Sequence, residues 1–377
     1  MVISEKPVKY LEFKSGDLKT LLTACFQCSS CASICPIHRV SAFNPRKIIL
    51  DYIYEDEEVN EDDMTTCLTC GACVEVCPQE VNFPEFIRVS REKFGVEESL
   101  FAHHNIFNLM QIFMNEMTDS GMKFEFEGEL DQESSIAYFP GCVDLYDKFL
   151  DLKETDFHQI GQSAVNIINK VGIKPNLLSL KCCGHDAYWT GDMKAYEEVR
   201  DFNTKVIKES GITDLIVSCA ECYYSFGSLY DLEGVNVQHI SQLIDKKKDK
   251  LKFDEEATTL TYHDPCRLGR FMKEYDSPRN ALEASGASIK ELPSHKEVAK
   301  CCGVSAWLKC DDISRAIMLQ KLEDATQVVG EEGTLAVACS KCYAHLNCVL
   351  EDKSPQHNYK IKVKELGTII DERSSSK

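Results

Sequence analysis

Apolar positions along this chain follow two patterns, and the change between them lies around residues 101–134. Beyond that point, short β-rich runs alternate with amphipathic stretches. Ser135–Phe139 (SIAYF), Asp214–Val217 (DLIV), Thr259–His263 (TLTYH) and Thr334–Val337 (TLAV) each read as a strand. Gln159–Val171 and Arg315–Val329 carry apolar residues at i, i+3, i+4 spacing and read as helices. Strands alternating with helices predict parallel sheets that present functional groups at strand C-terminal ends. Before residue 101 the flanking sequence is helix-forming instead, as in Asn44–Ile53 and Pro84–Phe94. Glu55–Asp63 (EDEEVNEDD) reads as a solvated loop, and Phe101–Leu130, rich in Met, Phe and Asn, as a helical connector.

Composition narrows the class. The chain has 377 residues, enough for two or three domains, with an ordinary 44% hydrophobic and 27% charged content. A formal net charge of −19 excludes a nucleic-acid surface, which needs a basic stripe, and disfavours docking on an anionic membrane face. Met1–Thr20 alternates charges without an apolar core, so no export signal is expected. The longest apolar run, Ile106–Met117, is broken by Asn108, Gln111, Asn115 and Glu116, so no membrane span is expected either. A cytoplasmic protein follows, one that reaches a membrane only through a partner subunit.

The 20 cysteines change the picture most. A chain of this size without an export signal has no need of disulfide staples. Clustered cytoplasmic cysteines are metal ligands or redox groups. The first eight read Cys25-x2-Cys28-x2-Cys31-x3-Cys35-Pro36 and Cys67-x2-Cys70-x2-Cys73-x3-Cys77-Pro78. This is the spacing of bacterial two-cluster ferredoxins, in which the fourth cysteine of each run reaches the other cube. Cys25, Cys28, Cys31 and Cys77 are therefore expected on one [4Fe–4S] cluster, and Cys67, Cys70, Cys73 and Cys35 on the second. Two zinc sites are the alternative, although zinc usually pairs CxxC units across a longer gap.

The later cysteines repeat. Cys142, Cys182–Cys183, Cys219 and Cys222 recur about 120 residues on as Cys266, Cys301–Cys302, Cys339 and Cys342, which marks a duplicated domain. Each vicinal pair is followed by glycine (Gly184, Gly303), a residue that permits a tight turn. Five thiols converging in each copy suit a metal cluster; a zinc site with a spare cysteine and a dithiol relay stay open. Cys310 and Cys348 lie outside the pattern and read as buried free thiols. The expected fold class is α+β and multi-domain. It comprises an α-helical ferredoxin domain over 1–100, a helical connector over 101–134, and two α/β domains over 135–256 and 257–377.

The two CCG repeats, opened by Tyr138-Phe139-Pro140-Gly141-Cys142 and Tyr262-His263-Asp264-Pro265-Cys266, resemble the B subunit of heterodisulfide reductase. Cys25-Phe26-Gln27-Cys28-Ser29-Ser30-Cys31 and the Cys67–Pro78 segment are similar to its C subunit. One chain joining both resembles the D subunit and the wider family of CCG-domain iron–sulfur oxidoreductases. The resemblance implies two noncubane [4Fe–4S] clusters, on Cys142, Cys182, Cys183, Cys219, Cys222 and on Cys266, Cys301, Cys302, Cys339, Cys342. It implies cleavage of a small-molecule disulfide, of the coenzyme M–coenzyme B type, between them, with Cys182, Cys183, Cys301 and Cys302 at the reacting centre. His185 and His263, with His345 as a third, are the nearest candidate proton donors. Arg267, Arg270 and Lys341 are candidate cations for an anionic substrate. No G-x-G-x-x-G or P-loop occurs, so electrons must come from a partner: a flavoprotein, a hydrogenase or dehydrogenase module, or a membrane cytochrome b. Similar chains relay electrons for flavin-dependent glycolate, lactate or glycerol-3-phosphate dehydrogenases, and that reading stands as the rival. The ten complete CCG positions favour the reductase.

Overall fold

The computed structural model describes residues 18–54, 59–97, 101–116, 121–153, 155–253, 257–351 and 359–376. Two four-stranded parallel sheets organise the chain beyond residue 135. The first contains β1 (Ile136–Phe139), β2 (Asn176–Leu177), β3 (Asp214–Val217) and β4 (Asn236–His239), in the order β2-β1-β3-β4. After β5 (Leu251–Phe253) comes the second sheet. Its β6 (Thr258–His263), β7 (Ala287–Ile289), β8 (Thr334–Val337) and β9 (Lys362–Glu365) lie in the order β7-β6-β8-β9. The two orders are the same once the copies are overlaid, so the duplication seen in the cysteines is a duplication of topology. A short β10 (Ser374–Ser376) pairs antiparallel with β5 and ties the end of the second copy to the end of the first.

Strands fall where the apolar runs stand. Leu215, Ile216 and Val217 are buried, as are Leu335, Ala336 and Val337, because a parallel strand is covered on both faces. Helices His158–Lys170 and Asp312–Val329 occupy the amphipathic stretches. The second begins at Asp311, whose carboxylate accepts from the Ser314 amide at 3.0 Å, an N-cap worth about 1 kcal/mol. Among the described residues of the N-terminal region, structure is helical, including Pro45–Tyr54 and Phe83–Phe94.

Three expectations need correction. Residues 55–58 of the acidic stretch lie outside the described residues, but Glu61–Thr66 is a helix capped by Asn60, with Val59 buried. Its three leading acids suit a helix N-terminus. The connector is helical over Ile106–Glu116 only; Ala102–Asn105 ahead of it is a turn with positive φ at His103, His104 and Asn105, and from 121 to 134 the chain runs without regular structure along the first copy. Cys310 is exposed in the loop ahead of Asp311, and Cys348 is half-buried, so neither is a core thiol. The boundary expected between the two copies, at 256 and 257, touches residues 254–256, which lie outside the described residues.

Candidate metal centres

The two N-terminal loops share one conformation. Gln27 and Ser29 in the first, and Thr69 and Gly71 in the second, all have positive φ at matching motif positions. Backbone amides turned this way face the thiols: Thr69 N–H approaches Cys67 Sγ at 3.4 Å, the kind of contact that tunes a cluster's potential. Cys25, Cys28, Cys31, Cys77 and Cys73 line one opening of about 410 Å³. Cys35, Cys67, Cys70 and Cys73 line another of about 320 Å³. Each opening thus gathers cysteines from both runs. Burial pushes the Cys31 thiol up to about 11 and the Cys35 thiol up to about 12. Thiols so placed do not ionise without a compensating cation, so the donor sets fit metal clusters.

In each CCG copy the thiols come from the ends of the first and third strands and from the vicinal pair. Cys142 and Cys219 follow β1 and β3; Cys266 and Cys339 follow β6 and β8. The glycine after each pair does what its backbone freedom permits. Gly184 has φ 74°, and a Cβ there would lie 2.8 Å from Val199; Gly303 has φ 104°, and a Cβ would lie 3.2 Å from His345. In copy one, Cys142 Sγ is 3.7 Å from Cys182 Sγ, and Cys183 and Cys219 both contact Cys222. In copy two, Cys302 Sγ is 3.3 Å from Cys342 Sγ. Cys266, Cys301, Cys302, Cys339 and Cys342 together line an opening of about 330 Å³.

These groups are not separate islands. The Cys70 thiol contacts Cys301, and this contact, against burial, pulls Cys70 down to about 5. Cys219 contacts Cys339 across the copies. The thiols therefore run in one order: first N-terminal opening, second N-terminal opening, second CCG copy, first CCG copy. A single π-turn, Arg267–Phe271, directly after Cys266, makes much of the junction with the ferredoxin domain. Arg267 donates to Thr69 O at 2.6 Å, and Arg270 donates to Cys70 O at 2.7 Å and Ala299 O at 2.6 Å. From the other side Arg91 donates to Met64 O, Cys67 O and Trp189 O.

The candidate proton donors and cations separate. His185 is buried with both nitrogens engaged: Nδ1 faces Asp186 at 3.0 Å and Glu221 at 3.3 Å, and Nε2 accepts from Arg267 at 2.8 Å. Burial pushes it down to about 3. His263 is buried against the Cys302 and Cys342 thiols, contacting Cys302, and burial pushes its pKa down. His345 is buried, pushed down to about 4 by burial, and rests on the edge of Trp307. Arg267, Arg270 and Lys341 do not form an open anion site; each is buried and bound within the protein. Lys341 Nζ meets Asp186, and Glu221 at 2.9 Å. Burial opposes its charge, but the two carboxylates outweigh that and raise its pKa.

Sequence reasoning missed Asp186, Glu221 and Thr69. A signal existed for Glu221: it fills the third place of Cys219-Ala-Glu-Cys222, and Lys341 fills the same place of Cys339-Ser-Lys-Cys342. Opposite charges at one repeat position announce a cross-copy pair.

Residues 21–81 match the 4Fe-4S dicluster domain, and residues 136–227 and 260–347 match the cysteine-rich domain designated CCG. Fold and thiol sets thus define an iron–sulfur protein with two ferredoxin-type [4Fe–4S] clusters and a duplicated cysteine-rich domain that fits noncubane clusters. The chain belongs to the CCG-domain iron–sulfur family, in the arrangement of the heterodisulfide reductase D subunit. It is 26% identical over 236 residues to the D subunit of the dihydromethanophenazine:CoB–CoM heterodisulfide reductase of Methanosarcina mazei, covering 58% of this chain and 54% of the relative. It is 27% identical over 222 residues to the EtfAB:quinone oxidoreductase of Syntrophomonas wolfei, covering 56% and 29%. It is 26% identical over 367 residues to the B subunit of the fumarate reductase (CoM/CoB) of Methanothermobacter marburgensis, covering 92% and 70%. The chain spans about half the length of the D subunits it matches. No solved structure matches it. No helix among the described residues is long and apolar enough to cross a membrane.

Proposed function

We propose that this chain is the disulfide-reducing subunit of a cytoplasmic iron–sulfur oxidoreductase. Its domains are 1–100, a connector over 101–134, and the two CCG copies over 135–256 and 257–377. Cys25, Cys28, Cys31 and Cys77 hold one ferredoxin-type cluster; Cys67, Cys70, Cys73 and Cys35 hold the other. Cys142, Cys182, Cys183, Cys219 and Cys222 hold the first noncubane cluster. Cys266, Cys301, Cys302, Cys339 and Cys342 hold the second. When bound, these clusters supply single electrons to a two-electron reduction. The substrate is a small-molecule disulfide, of the coenzyme M–coenzyme B class that the D subunits' name carries. A protein partner (a flavoprotein, a hydrogenase or dehydrogenase module, or a membrane cytochrome b) supplies the electrons, and through it the chain reaches a membrane.

The observation that carries this reading is the unbroken run of thiol contacts, Cys70 to Cys301 and Cys339 to Cys219, ending on two complete five-cysteine sets. The chain's own residues keep that path dry and fixed: Arg267 and Arg270 clamp the ferredoxin loop, and Asp186, Glu221 and Lys341 lock the copies together. His263, in contact with the Cys302 thiol, is the candidate histidine nearest the second cysteine set. His185, tied to Arg267 and Glu221, positions the network instead. The test is turnover of a small disulfide by the anaerobic holoprotein with a reduced viologen as donor. Activity that disappears in a Cys301→Ser, Cys302→Ser variant supports the reading; full activity in that variant refutes it.

One observation favours the rival, an electron-relay role. The seam between the copies is filled by the buried Lys341–Glu221–Asp186 network rather than left open. A holoprotein that is reduced by a flavin-dependent dehydrogenase but never turns over a disulfide would establish the relay.

A further inference from the structure

The two N-terminal loops align position for position, Cys25-Phe26-Gln27-Cys28 against Cys67-Leu68-Thr69-Cys70. Their matching edges are treated in opposite ways. The edge of the second loop is covered by the second CCG copy. Leu68 is 7% exposed and lines the opening of Cys266, Cys301 and Cys302. Arg267 donates to Thr69 Oγ1 at 3.0 Å as well as to the Thr69 carbonyl, and Arg270 donates to the Cys70 carbonyl. The same edge of the first loop is uncovered. Phe26 is 59% exposed. Cys28 and Cys310 are the exposed cysteines, and of the two only Cys28 belongs to a motif. Among the described residues, neither the Gln27 nor the Cys28 carbonyl accepts a backbone hydrogen bond. Gln27 Oε1, from the position that Thr69 fills in the second loop, is buried without a partner. One exposed ring is ordinary on a protein surface. A ring, two carbonyls and an amide oxygen left open, each at a position the sister loop has covered or clamped, mark an edge that awaits a partner.

We propose that the Phe26–Cys28 edge is the docking surface for the electron-donating protein, and that this partner carries arginine or lysine donors beside its redox group. The partner covers Phe26 as the CCG copy covers Leu68. Its cations reach the Gln27 and Cys28 carbonyls as Arg267 and Arg270 reach those of Thr69 and Cys70. No acid lines the first opening, whose single charged residue is Arg46, so the partner's cations bond to neutral oxygens there, as the two arginines do in the second loop. The chain's net charge of −19 draws a cationic partner in from a distance. The proposal rests on the reading of this chain as one fed by a partner protein, and it holds for a relay as for a reductase. Docking there sets the donor at the start of the thiol order, so an electron enters beside Cys28 and leaves by way of Cys70. One electron passes per encounter: the partner's group is oxidised and the first cluster reduced, with no bond made or broken.

The test reads electron exchange between the full-length holoprotein and two protein probes, and it needs no disulfide. Mitochondrial cytochrome c, whose haem edge is ringed by lysines, is the basic probe; rubredoxin is the acidic one. The holoprotein is reduced anaerobically and mixed with each oxidised probe in a stopped-flow instrument at low ionic strength, where one electron passes from the clusters to the probe's iron. Phe26→Arg should lower the second-order rate constant with cytochrome c by at least about tenfold, while Phe26→Glu should hold or raise it. The loss in Phe26→Arg should exceed by that factor any change with methyl viologen, a small molecule that needs no docking. Iron content checks that the variants are loaded. Ile112→Arg, the same change on another exposed apolar residue, should leave the rate near wild type. A wild-type rate in Phe26→Arg overturns the proposal. So does equal slowing in Phe26→Arg and Phe26→Glu, which marks a packing role, or faster exchange with rubredoxin than with cytochrome c. Sedimentation of the holoprotein with anionic phospholipid vesicles that Phe26→Glu abolishes makes the edge a membrane contact, and a dimer that Phe26→Arg breaks makes it a self-contact; either overturns the proposal. A holoprotein that reduces no disulfide but shows the charge-dependent exchange loses the reductase reading and keeps this edge. Viologen-driven disulfide turnover with exchange indifferent to Phe26 does the reverse.

Discussion

Lys341 of the second copy and Glu221 of the first occupy the same place in their CxxC motifs and meet at 2.9 Å across the seam. Asp186, three residues after Cys183, completes the pair from the other side. Because the contact joins residues flanking opposite cysteine sets, it fixes the separation of the two sites as well as the fold.

Lys341 is 1% exposed, so removing it leaves two carboxylates facing one another without a cation. Lys341→Met should destabilise the holoprotein by about 3–5 kcal/mol, read as a lowered Tm under anaerobic conditions. An unchanged Tm would show that the pair contributes nothing to holding the copies.

The ferredoxin loop is clamped by charge-assisted bonds from Arg270 to Cys70 O and Ala299 O. Arg270→Gln shortens and neutralises that arm beside the Cys70–Cys301 contact. In rapid-freeze EPR the N-terminal clusters should reduce at the normal rate while reduction of the CCG clusters slows by about tenfold or more. Equal slowing of both would place the defect in donor docking instead.

Each N-terminal opening draws cysteines from both runs, which sets up a crossed pattern of loss. Cys77→Ser should disturb the cluster held by Cys25, Cys28 and Cys31; Cys35→Ser should disturb the one held by Cys67, Cys70 and Cys73. Mössbauer spectra and iron counts on the two variants distinguish them. Loss of the cluster on the variant's own run would reverse the assignment.

Glu365, the buried carboxyl that caps the Leu366–Glu372 helix, makes stability depend on pH. Its folded-state pKa, about 8, lies above the ordinary 4.5, so the folded chain holds a proton that the unfolded chain has released between those values. Stability therefore falls as pH rises through that window. E365Q does not titrate, so its Tm relative to the wild type should climb from pH 5 to about 8 and level off above that. A constant difference would mean the acid is already ionised in the folded state.

Much of this is legible in the sequence because the informative signals are local. Strands at 214–217 and 334–337 fall where the apolar runs stand, and the glycines after each vicinal pair take the backbone their position demands. What the sequence hides is the joining of the parts. Nothing in the spacing of Cys70 says that it meets Cys301, since that contact depends on a π-turn and two arginine–carbonyl clamps. Lys341 and Arg267 read as free cations because charge is visible in a sequence and pairing is not. The acidic stretch misleads for the same reason: Asn60 converts its second half into a capped helix. Glu365 carries no signal at all, being one acid among many until the fold buries it at the end of β9.

The most direct test of the central claim is EPR of the oxidised, fully loaded holoprotein on adding a small thiol of the coenzyme M or coenzyme B class. The account predicts a new, thiol-dependent paramagnetic signal that is lost in the Cys301→Ser, Cys302→Ser variant. No change in the spectrum at saturating thiol, in a protein whose clusters reduce normally with viologen, would contradict it.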